Sequence, residues 1–225
     1  KDLAQSQLQK LDTKRIHIRT GSRVERIEEG RLTVHGHQEI RFKYLVGADG
    51  SMSIVRRYLK LRQEYVLFAL QHLICAKLYD HLGEIKKNQY HYNKRFFLWW
   101  YGWIFPHKGY SSVGCGCGRG FLSPKTLKEN FSTWLSEMGI GVQAKSPMGF
   151  PINCDYRGHE FGNTYLVGDA AGLASYATGE GIHQAIVSGE ETAKMIIDPN
   201  HKSRKMEGLL SEKKTEDDAF MQIMI

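Results

Sequence analysis

The sequence lacks any apolar run of the roughly 20 residues that a membrane-spanning helix needs. Residues 1–5 contain no apolar signal-peptide core, so the sequence gives no indication of export. The chain has four cysteines and no Cys-x-x-Cys pair, which argues against a zinc site and favours free thiols. We therefore expect a cytoplasmic protein that holds no metal ion.

Negative charge is in deficit, because 31 lysine and arginine residues stand against 24 aspartate and glutamate residues, a formal net charge of +7. Such a surface can attract nucleic acid, anionic lipid, or an anionic substrate or cofactor. The sequence contains no helix-turn-helix, zinc-finger or RNA-recognition signature, so we expect no nucleic-acid partner. Peripheral contact with a membrane stays compatible with this charge, and no pattern indicates an oligomeric state.

A glycine-rich nucleotide loop of the form Gly-x-Gly-x-x-Gly is also missing from the 225 residues. The dense glycine run at 114–120 does not follow this pattern and precedes no strand that carries an acidic residue. We interpret this run as a strand and a turn. With 41% hydrophobic residues, the composition is that of a globular protein with a core.

The most informative stretch that is present runs from Tyr165 to Gly172, where an apolar segment ends in Gly168-Asp169 and is followed by small residues. A strand of this kind delivers one carboxylate to its carboxyl end, where the carboxylate can accept hydrogen bonds from sugar or ribityl hydroxyl groups. Glycines let the backbone approach a phosphate or a flat ring. A following helix, predicted from Glu180 to Ile197, offers free N–H groups to negative charge.

A second stretch repeats the pattern upstream, where the apolar segment 44–48 ends in Asp49-Gly50. A turn with Ser53 follows, and Arg56 lies at the predicted start of a helix. We interpret Arg56 as an ion-pair partner of Asp49 or as a phosphate contact, and a solvated helix arginine is the plain alternative. Because both acidic residues follow predicted strands, we expect them to converge on one groove.

Together the two stretches resemble the Asp-Gly and Gly-Asp fingerprints of flavoprotein monooxygenases and their relatives, the fold typified by p-hydroxybenzoate hydroxylase. The resemblance implies an α/β fold, α+β overall, with a partial FAD-binding Rossmann-like domain and an inserted antiparallel β-sheet substrate domain. It also implies that an N-terminal nucleotide-binding segment is absent here. We therefore expect a fragment, a truncated product or one piece of a longer protein, with weak or no FAD binding by itself.

The predicted organisation has four parts. The FAD-binding domain begins in 1–63 and returns in 151–198, the substrate domain with its sheet and one helix lies in 64–150, and a charged helical tail follows in 199–225.

Local patterns predict several elements within these parts. The alternation at Ile16–Ile18 and again at 22–27 is typical of strands, and residues 31–34 are predicted to return as a hairpin. Ser123 precedes Pro124 and is predicted to cap a helix with one apolar face.

Aromatic residues are concentrated between positions 90 and 110, in a segment rich in strand-forming residues. They include Tyr90, Tyr92, Phe96, Phe97, Trp99, Trp100, Tyr101, Trp103, Phe105 and Tyr110. The cluster 99–103 is interpreted as the wall of a tunnel for an apolar substrate, and an aromatic sheet core without a ligand is the plain alternative.

The segment Tyr101-Gly-Trp103-Ile-Phe105-Pro106-His107-Lys108 narrows the resemblance. It is similar to the Tyr-x-Trp-x-Phe-Pro-Lys motif of the geranylgeranyl reductase family, flavoenzymes that saturate isoprenoid double bonds in lipids or pigments. The resemblance covers roughly residues 10 to 198. His107 departs from the motif, since the family has lysine there, and this puts a contact with an anionic head group in doubt.

The resemblance implies two sets of site residues. The cofactor-binding set is Val24, Asp49, Gly50, Ser53, Arg56, Gly168, Asp169, Ala170, Gly172, Gly179, Gly181 and Ile182. The substrate-binding set is Tyr101, Trp103, Phe105, Pro106 and His107.

The predicted activity is FAD-dependent reduction of an isoprenoid lipid or pigment precursor, with NAD(P)H or a reduced electron carrier as the source of electrons. Tyr101, His107 or a cysteine could supply the proton, and no spacing selects one of them. The alternatives are a flavin monooxygenase or a quinone reductase of the same fold, and a non-catalytic fragment that holds no FAD.

Overall fold

The computed structural model describes most of the chain, namely residues 2–12, 14–36, 38–75, 87–142 and 146–224. The chain divides into two compact units, 1–43 and 44–225. The finer division into four parts stays a prediction.

In its described residues, the first unit contains one short helix and a three-stranded antiparallel sheet. Helix α1 is Asp2–Leu8, and the strands are β1 (Val24–Glu28), β2 (Arg31–Val34) and β3 (Gln38–Arg41). The predicted hairpin is confirmed, because β1 pairs with β2 across a turn in which Gly30 has φ +69°. The strand predicted at Ile16–Ile18 is wrong, since both isoleucines are exposed and no neighbouring strand covers them in the part of the unit that the structure describes.

In the second unit, a small sheet has the order β10-β11-β4. Its strands are β4 (Leu45–Gly47), β10 (Glu160–Phe161) and β11 (Thr164–Leu166). Strands β4 and β11 are parallel, with Thr164 opposite Leu45 and Leu166 opposite Gly47. Because the two strands run side by side in the same direction, the chain leaves both of them at one edge of the sheet.

A larger antiparallel sheet carries the aromatic residues. Its order is β6-β7-β8-β5-β9, and the strands are β5 (Val66–Cys75), β6 (Gln89–Tyr92), β7 (Tyr101–His107), β8 (Tyr110–Gly118) and β9 (Met148–Asn153). The glycine run lies mostly on β8, as predicted. A Cβ atom at Gly114 would lie 2.2 Å from Trp103 Cζ2, so glycine lets that indole lie directly on the sheet.

Two helices cover the inner face of the large sheet. They are α3 (Lys94–Phe97) and α4 (Pro124–Glu137), and Ser123 caps α4 as predicted, accepting a hydrogen bond from the Thr126 N–H at 3.0 Å. The predicted apolar face is confirmed, and the core includes Phe97, Trp100, Cys115, Cys117, Leu127, Phe131, Trp134 and Leu135. Packing of these large rings against the sheet removes much apolar surface from water, the main source of stability in such a layer.

The described part of the unit has two further short helices, α2 (Ile54–Tyr58) and α5 (Gly168–Ala171), and two longer ones, α6 (Ile182–Ile197) and α7 (Arg204–Met224). The buried carboxylate of Glu191 on α6 accepts hydrogen bonds from Lys194 on the same helix and from His201 and Ser203, which precede α7. These three donors lower the pKa of Glu191 to about 2.

Within the described ranges, none of the helices has the length and apolar character needed to cross a membrane. The same residues contain no group of three or more His, Cys, Asp or Glu side chains arranged for a metal ion. All four cysteines are free thiols, and Cys75 alone among them is exposed.

Candidate functional site

Two neighbouring turns, each with an aspartate, follow the parallel strands β4 and β11 of the small sheet. Asp49 follows β4 and is exposed, and its Oδ2 accepts a hydrogen bond from the Ile54 N–H at 2.6 Å. Gly50 has φ +73°, a left-handed conformation that glycine adopts without a Cβ penalty. Ser53 caps α2 by accepting from the Arg56 N–H at 2.9 Å. Asp49, Gly50 and Ser53 therefore shape a turn at the sheet edge.

Asp169 lies in the neighbouring turn, on the first turn of α5 after β11, and is half-buried. Ser51 from the first turn donates a hydrogen bond to Asp169 Oδ2 at 2.9 Å, and the Asn153 N–H donates to the same Ser51 Oγ at 3.0 Å. Burial raises the pKa of Asp169, and the Ser51 hydrogen bond opposes that rise. Ser51 was not among the predicted site residues, although it stands between Gly50 and Ser53 in the same motif.

Arg56 is buried and connects the two turns from within. Its guanidinium donates to the carbonyl oxygens of Arg62, Asp155 and Ala170 at 2.5, 2.7 and 3.3 Å. The carboxylate of Asp155 lies 4.0 Å away, and burial lowers the pKa of Arg56. The ion pair predicted between Arg56 and Asp49 is therefore wrong, because Asp155 is the acidic partner. Ala170 was predicted to bind the cofactor, and in the structure its carbonyl oxygen accepts a hydrogen bond from Arg56.

The turns around α5 require glycine at two of the predicted positions. Gly172 ends α5 with φ +80°, and a Cβ atom there would lie 2.2 Å from the Asp155 carbonyl oxygen. Gly168 has φ +53°, and its N–H donates to Ser188 Oγ on α6 at 3.0 Å. Close contacts of this kind fix the backbone beside Asp169.

A glycine turn precedes α6 and lies against Asp169. Gly179 has φ +72°, and a Cβ atom on Gly181 would lie 2.7 Å from Asp169 Oδ1. Gly181 is the N-cap residue of α6 and supplies no side-chain hydrogen bond, so the first N–H groups of the helix, beginning at Ile182, are open to an external acceptor. On the same first turn, Gln184 Oε1 is buried and has no hydrogen-bond partner among the described residues.

A cleft of about 640 Å³ lies between this glycine turn and the aromatic face of the large sheet. Its lining is mostly aromatic and apolar, and consists of Ala69, Gln71, Tyr90, Tyr92, Tyr101, Trp103, Phe105, Phe150, Ile152, Thr178, Gly179 and Glu180. The cleft thus brings together three predicted substrate residues on β7 with a predicted cofactor glycine. Such an enclosure suits a ligand with a large apolar area.

Tyr101 joins the two walls of the cleft, because its hydroxyl donates a hydrogen bond to the Thr178 carbonyl oxygen. Burial, together with Tyr90, Tyr92 and Glu180, raises the pKa of Tyr101 to about 12. The hydroxyl therefore stays protonated at neutral pH and fixes the distance between β7 and the glycine turn.

Three other predicted positions in the second unit do not line the cleft. Pro106 and His107 are at the end of β7, outside the cleft lining, and the exposed His107 stacks on Tyr110 with ring centroids 4.8 Å apart. Trp100 belongs to the core, where its N–H donates to the Tyr176 carbonyl oxygen at 2.9 Å, so the interpretation of 99–103 as a tunnel wall fails for this residue. Val24 is the first residue of β1 in the first unit.

Comparisons with known proteins agree with this picture. No family model matches the chain. The chain is 28% identical to a geranylgeranyl diphosphate reductase of Rhodobacter capsulatus, over 69% of this chain and 40% of that protein. It is 27% identical to a digeranylgeranylglycerophospholipid reductase of Methanopyrus kandleri, over 76% of this chain and 49% of that protein. The chain thus spans less than half the length of these relatives.

The fold has close counterparts among solved structures. A geranylgeranyl bacteriochlorophyll reductase-like protein of Thermoplasma acidophilum superposes with a TM-score of 0.68 at 21% identity, over 90% of this chain and 57% of that one. Solved oxygenases also share the fold, one of them described as a probable FAD-dependent monooxygenase. The predicted resemblance to the geranylgeranyl reductase family and the predicted α+β flavoprotein fold are therefore confirmed.

Proposed function

We propose that this chain supplies part of the flavin site and the substrate cleft of an FAD-dependent oxidoreductase that reduces carbon–carbon double bonds of an isoprenoid. The observation that carries the proposal is the cleft, which joins the aromatic strand β7 to the glycine turn beside Asp169. The two reductase relatives support the substrate class, since both act, by name, on geranylgeranyl compounds.

The residues at the sheet edge fit a flavin nucleotide. Asp169 offers a half-buried carboxylate that holds a hydrogen bond from Ser51 and retains further acceptor capacity for cofactor hydroxyl groups. The uncapped start of α6 offers N–H groups and a positive helix end to electron-rich ring atoms or phosphate. The buried Gln184 Oε1 adds an acceptor that still lacks a donor among the described residues.

When bound and reduced, FAD would supply a hydride to one carbon of a double bond while a proton reaches the other carbon, and NAD(P)H or a reduced carrier would restore the reduced flavin. The chain's own residues then have three tasks. The aromatic wall excludes water and packs against methyl and methylene groups of the substrate. Tyr101 holds the wall and the glycine turn at a fixed separation. Burial raises the pKa of Tyr101 to about 12, so its hydroxyl is protonated at neutral pH.

The charge of the lining indicates which part of a substrate enters. Glu180 is the one charged side chain among the cleft residues that the structure describes. An anionic head group would therefore be repelled, and we assign the cleft to the apolar chain, with the head group outside. Tyr90 and Tyr92 at the rim are 52% and 74% exposed, a composition compatible with peripheral contact with a lipid surface.

An anaerobic turnover experiment tests the proposal. The chain is given excess FAD, dithionite and geranylgeraniol, and mass spectrometry follows the addition of two hydrogen atoms per double bond. Saturated product that depends on the chain and falls with Asp169→Asn supports the proposal. Oxygen incorporation under air with NAD(P)H would favour the monooxygenase, quinone reduction without change to the prenyl chain would favour the quinone reductase, and the absence of all products would favour a non-catalytic fragment.

A further inference from the structure

The cleft contains one polar group whose orientation is fixed by its neighbours, the side-chain amide of Gln71. Gln71 lies on β5, the strand between β8 and β9, opposite Gly114 and Met148. Among the described lining residues it is the one side-chain amide. It therefore places a polar group on a floor that is otherwise formed by aromatic and aliphatic side chains.

A chain of two hydrogen bonds orients that amide. The Trp103 indole N–H donates to Ser112 Oγ at 3.1 Å, and the Ser112 hydroxyl donates to Gln71 Oε1 at 3.0 Å. Ser112 is buried, so its single hydroxyl hydrogen needs an acceptor. Turning the Gln71 amide around would replace that acceptor with an NH₂ group. The network thus directs Oε1 toward Ser112 and leaves Nε2 for another partner.

The geometry of the sheet makes room for this arrangement. Trp103 and Gly114 are paired in the register of β7 and β8, and the missing Cβ of Gly114 lets the indole lie on the sheet beside Gln71. The structure gives Gln71 Nε2 no hydrogen-bond partner among the described residues. The hydroxyl of Tyr101, another lining group, is already bonded to Thr178.

We propose that Gln71 is the specificity-determining donor of the cleft and that its Nε2 binds an uncharged oxygen acceptor on an otherwise apolar ligand, with Ser112 and Trp103 as positioning residues. An ether, ester or hydroxyl oxygen has this chemistry. The inference rests on the proposed function, since it assumes that the cleft holds the substrate. It adds that the apolar chain assigned to the cleft carries an uncharged oxygen that lies on the floor, whereas a charged head group stays outside.

The probes are geranyl methyl ether, which can only accept a hydrogen bond, and the hydrocarbon of the same chain that lacks the oxygen. Binding to the isotope-labelled chain is followed by the indole N–H signal of Trp103. A neutral hydrogen bond of about 0.5–1.5 kcal/mol corresponds to roughly a twofold to tenfold difference in affinity. The native chain should bind the ether more tightly than the hydrocarbon by that factor.

Gln71→Leu should remove the difference between the two probes, and so should Gln71→Glu, which keeps the size of the side chain and lacks the donor. If one variant fails to fold, the other still decides the question. The matched control is Gln89→Leu on β6, a glutamine of the same sheet that lies outside the cleft lining and hydrogen-bonds to His91. The control should preserve the preference for the ether.

Three results would overturn the inference. Equal affinity of the native chain for both probes, or a preference for the ether that survives Gln71→Leu, would show that Gln71 is not the donor, and the cleft would still stand as the substrate site. No change in the Trp103 signal with either probe would overturn both the inference and the assignment of the cleft. The failure of the inference and the failure of the proposed function are therefore separate outcomes.

Discussion

Asp49 and Asp169 follow adjacent parallel strands, in similar sequence surroundings, yet their carboxylates have different tasks. Asp49 is exposed and is occupied by the Ile54 N–H of its own turn. Asp169 is half-buried, lies against Gly181 at the start of α6, and receives Ser51 from the other turn. The comparison teaches that the first carboxylate is occupied within its own turn, whereas the second is the one that we propose binds a ligand.

The largest expected effect tests how the two turns are joined. Arg56→Leu should lower the free energy of unfolding by about 3–5 kcal/mol, because it leaves three carbonyl groups without their donor and takes from the buried Asp155 carboxylate one of its two arginine neighbours, the other being Arg157. Urea unfolding followed by circular dichroism measures the loss. Arg57→Leu, one residue later and exposed, is the matched control and should change stability by about 0.5 kcal/mol or less. A loss below 1 kcal/mol for Arg56→Leu would show that the turns are held together by other contacts.

The second-largest expected effect is on FAD affinity, and it compares the carboxylates of Asp169 and Asp49 directly. Asp169→Asn should weaken FAD binding by about tenfold or more, since a hydrogen bond to a charged acceptor contributes about 1.5–3 kcal/mol. Asp49→Asn, the matched substitution in the other turn, should leave FAD affinity nearly unchanged. Chemical-shift titration measures both constants, even when they are weak. Equal losses in the two variants would remove the distinction between scaffold and ligand.

The glycine turn beside Asp169 depends on Tyr101. Tyr101→Phe should cost about 1 kcal/mol of stability at neutral pH, because the hydrogen bond to the Thr178 carbonyl is lost. The folded chain raises the pKa of Tyr101 to about 12, so the tyrosine stabilises the fold below pH 10 and loses this contribution as pH rises from about 10 to 12. Unfolding free energies of both chains across this range should therefore converge. If the difference in unfolding free energy between the native chain and Tyr101→Phe stayed constant up to pH 12, the raised pKa of Tyr101 would be contradicted.

The smallest effect concerns the scaffold turn itself. Asp49→Ala removes an exposed acceptor of the Ile54 N–H and should cost about 0.5–1 kcal/mol. Thermal unfolding measures this loss, and Ser53→Ala, which removes the cap of the same short helix, serves as a comparison. A larger loss from Asp49→Ala than from Arg56→Leu would reverse the order of importance within the turn.

Strand alternation, caps and the two acidic motifs were enough to predict the two strands that precede Asp49 and Asp169, the antiparallel aromatic sheet and the helix after Ser123. These features are local, and their signals lie within a few residues. The partner of Arg56 was not predictable, because Asp155 lies far along the chain and no periodicity connects the two. The isoleucines at 16–18 alternate like a strand, but a strand also needs a neighbour that the pattern cannot supply.

The candidate site was also predictable only where the signal was local in sequence. The aromatic motif correctly placed Tyr101, Trp103 and Phe105 on one cleft wall, because alternate strand residues share a face. The same alternation could have warned that Pro106 is on the other face. Gln71 and Ser51 were missed, since each makes its contacts with residues far along the chain, Gln71 with Ser112 and Ser51 with Asp169.

A titration of the isotope-labelled chain with FAD, followed by backbone amide chemical shifts, tests the central claim most directly. If the sheet edge and the start of α6 form a flavin site, amide shifts should change together at residues 49–51, 169–172 and 179–184, even when binding is weak. Saturable shifts confined to other parts of the chain, or no saturable shifts at millimolar FAD, would contradict the claim.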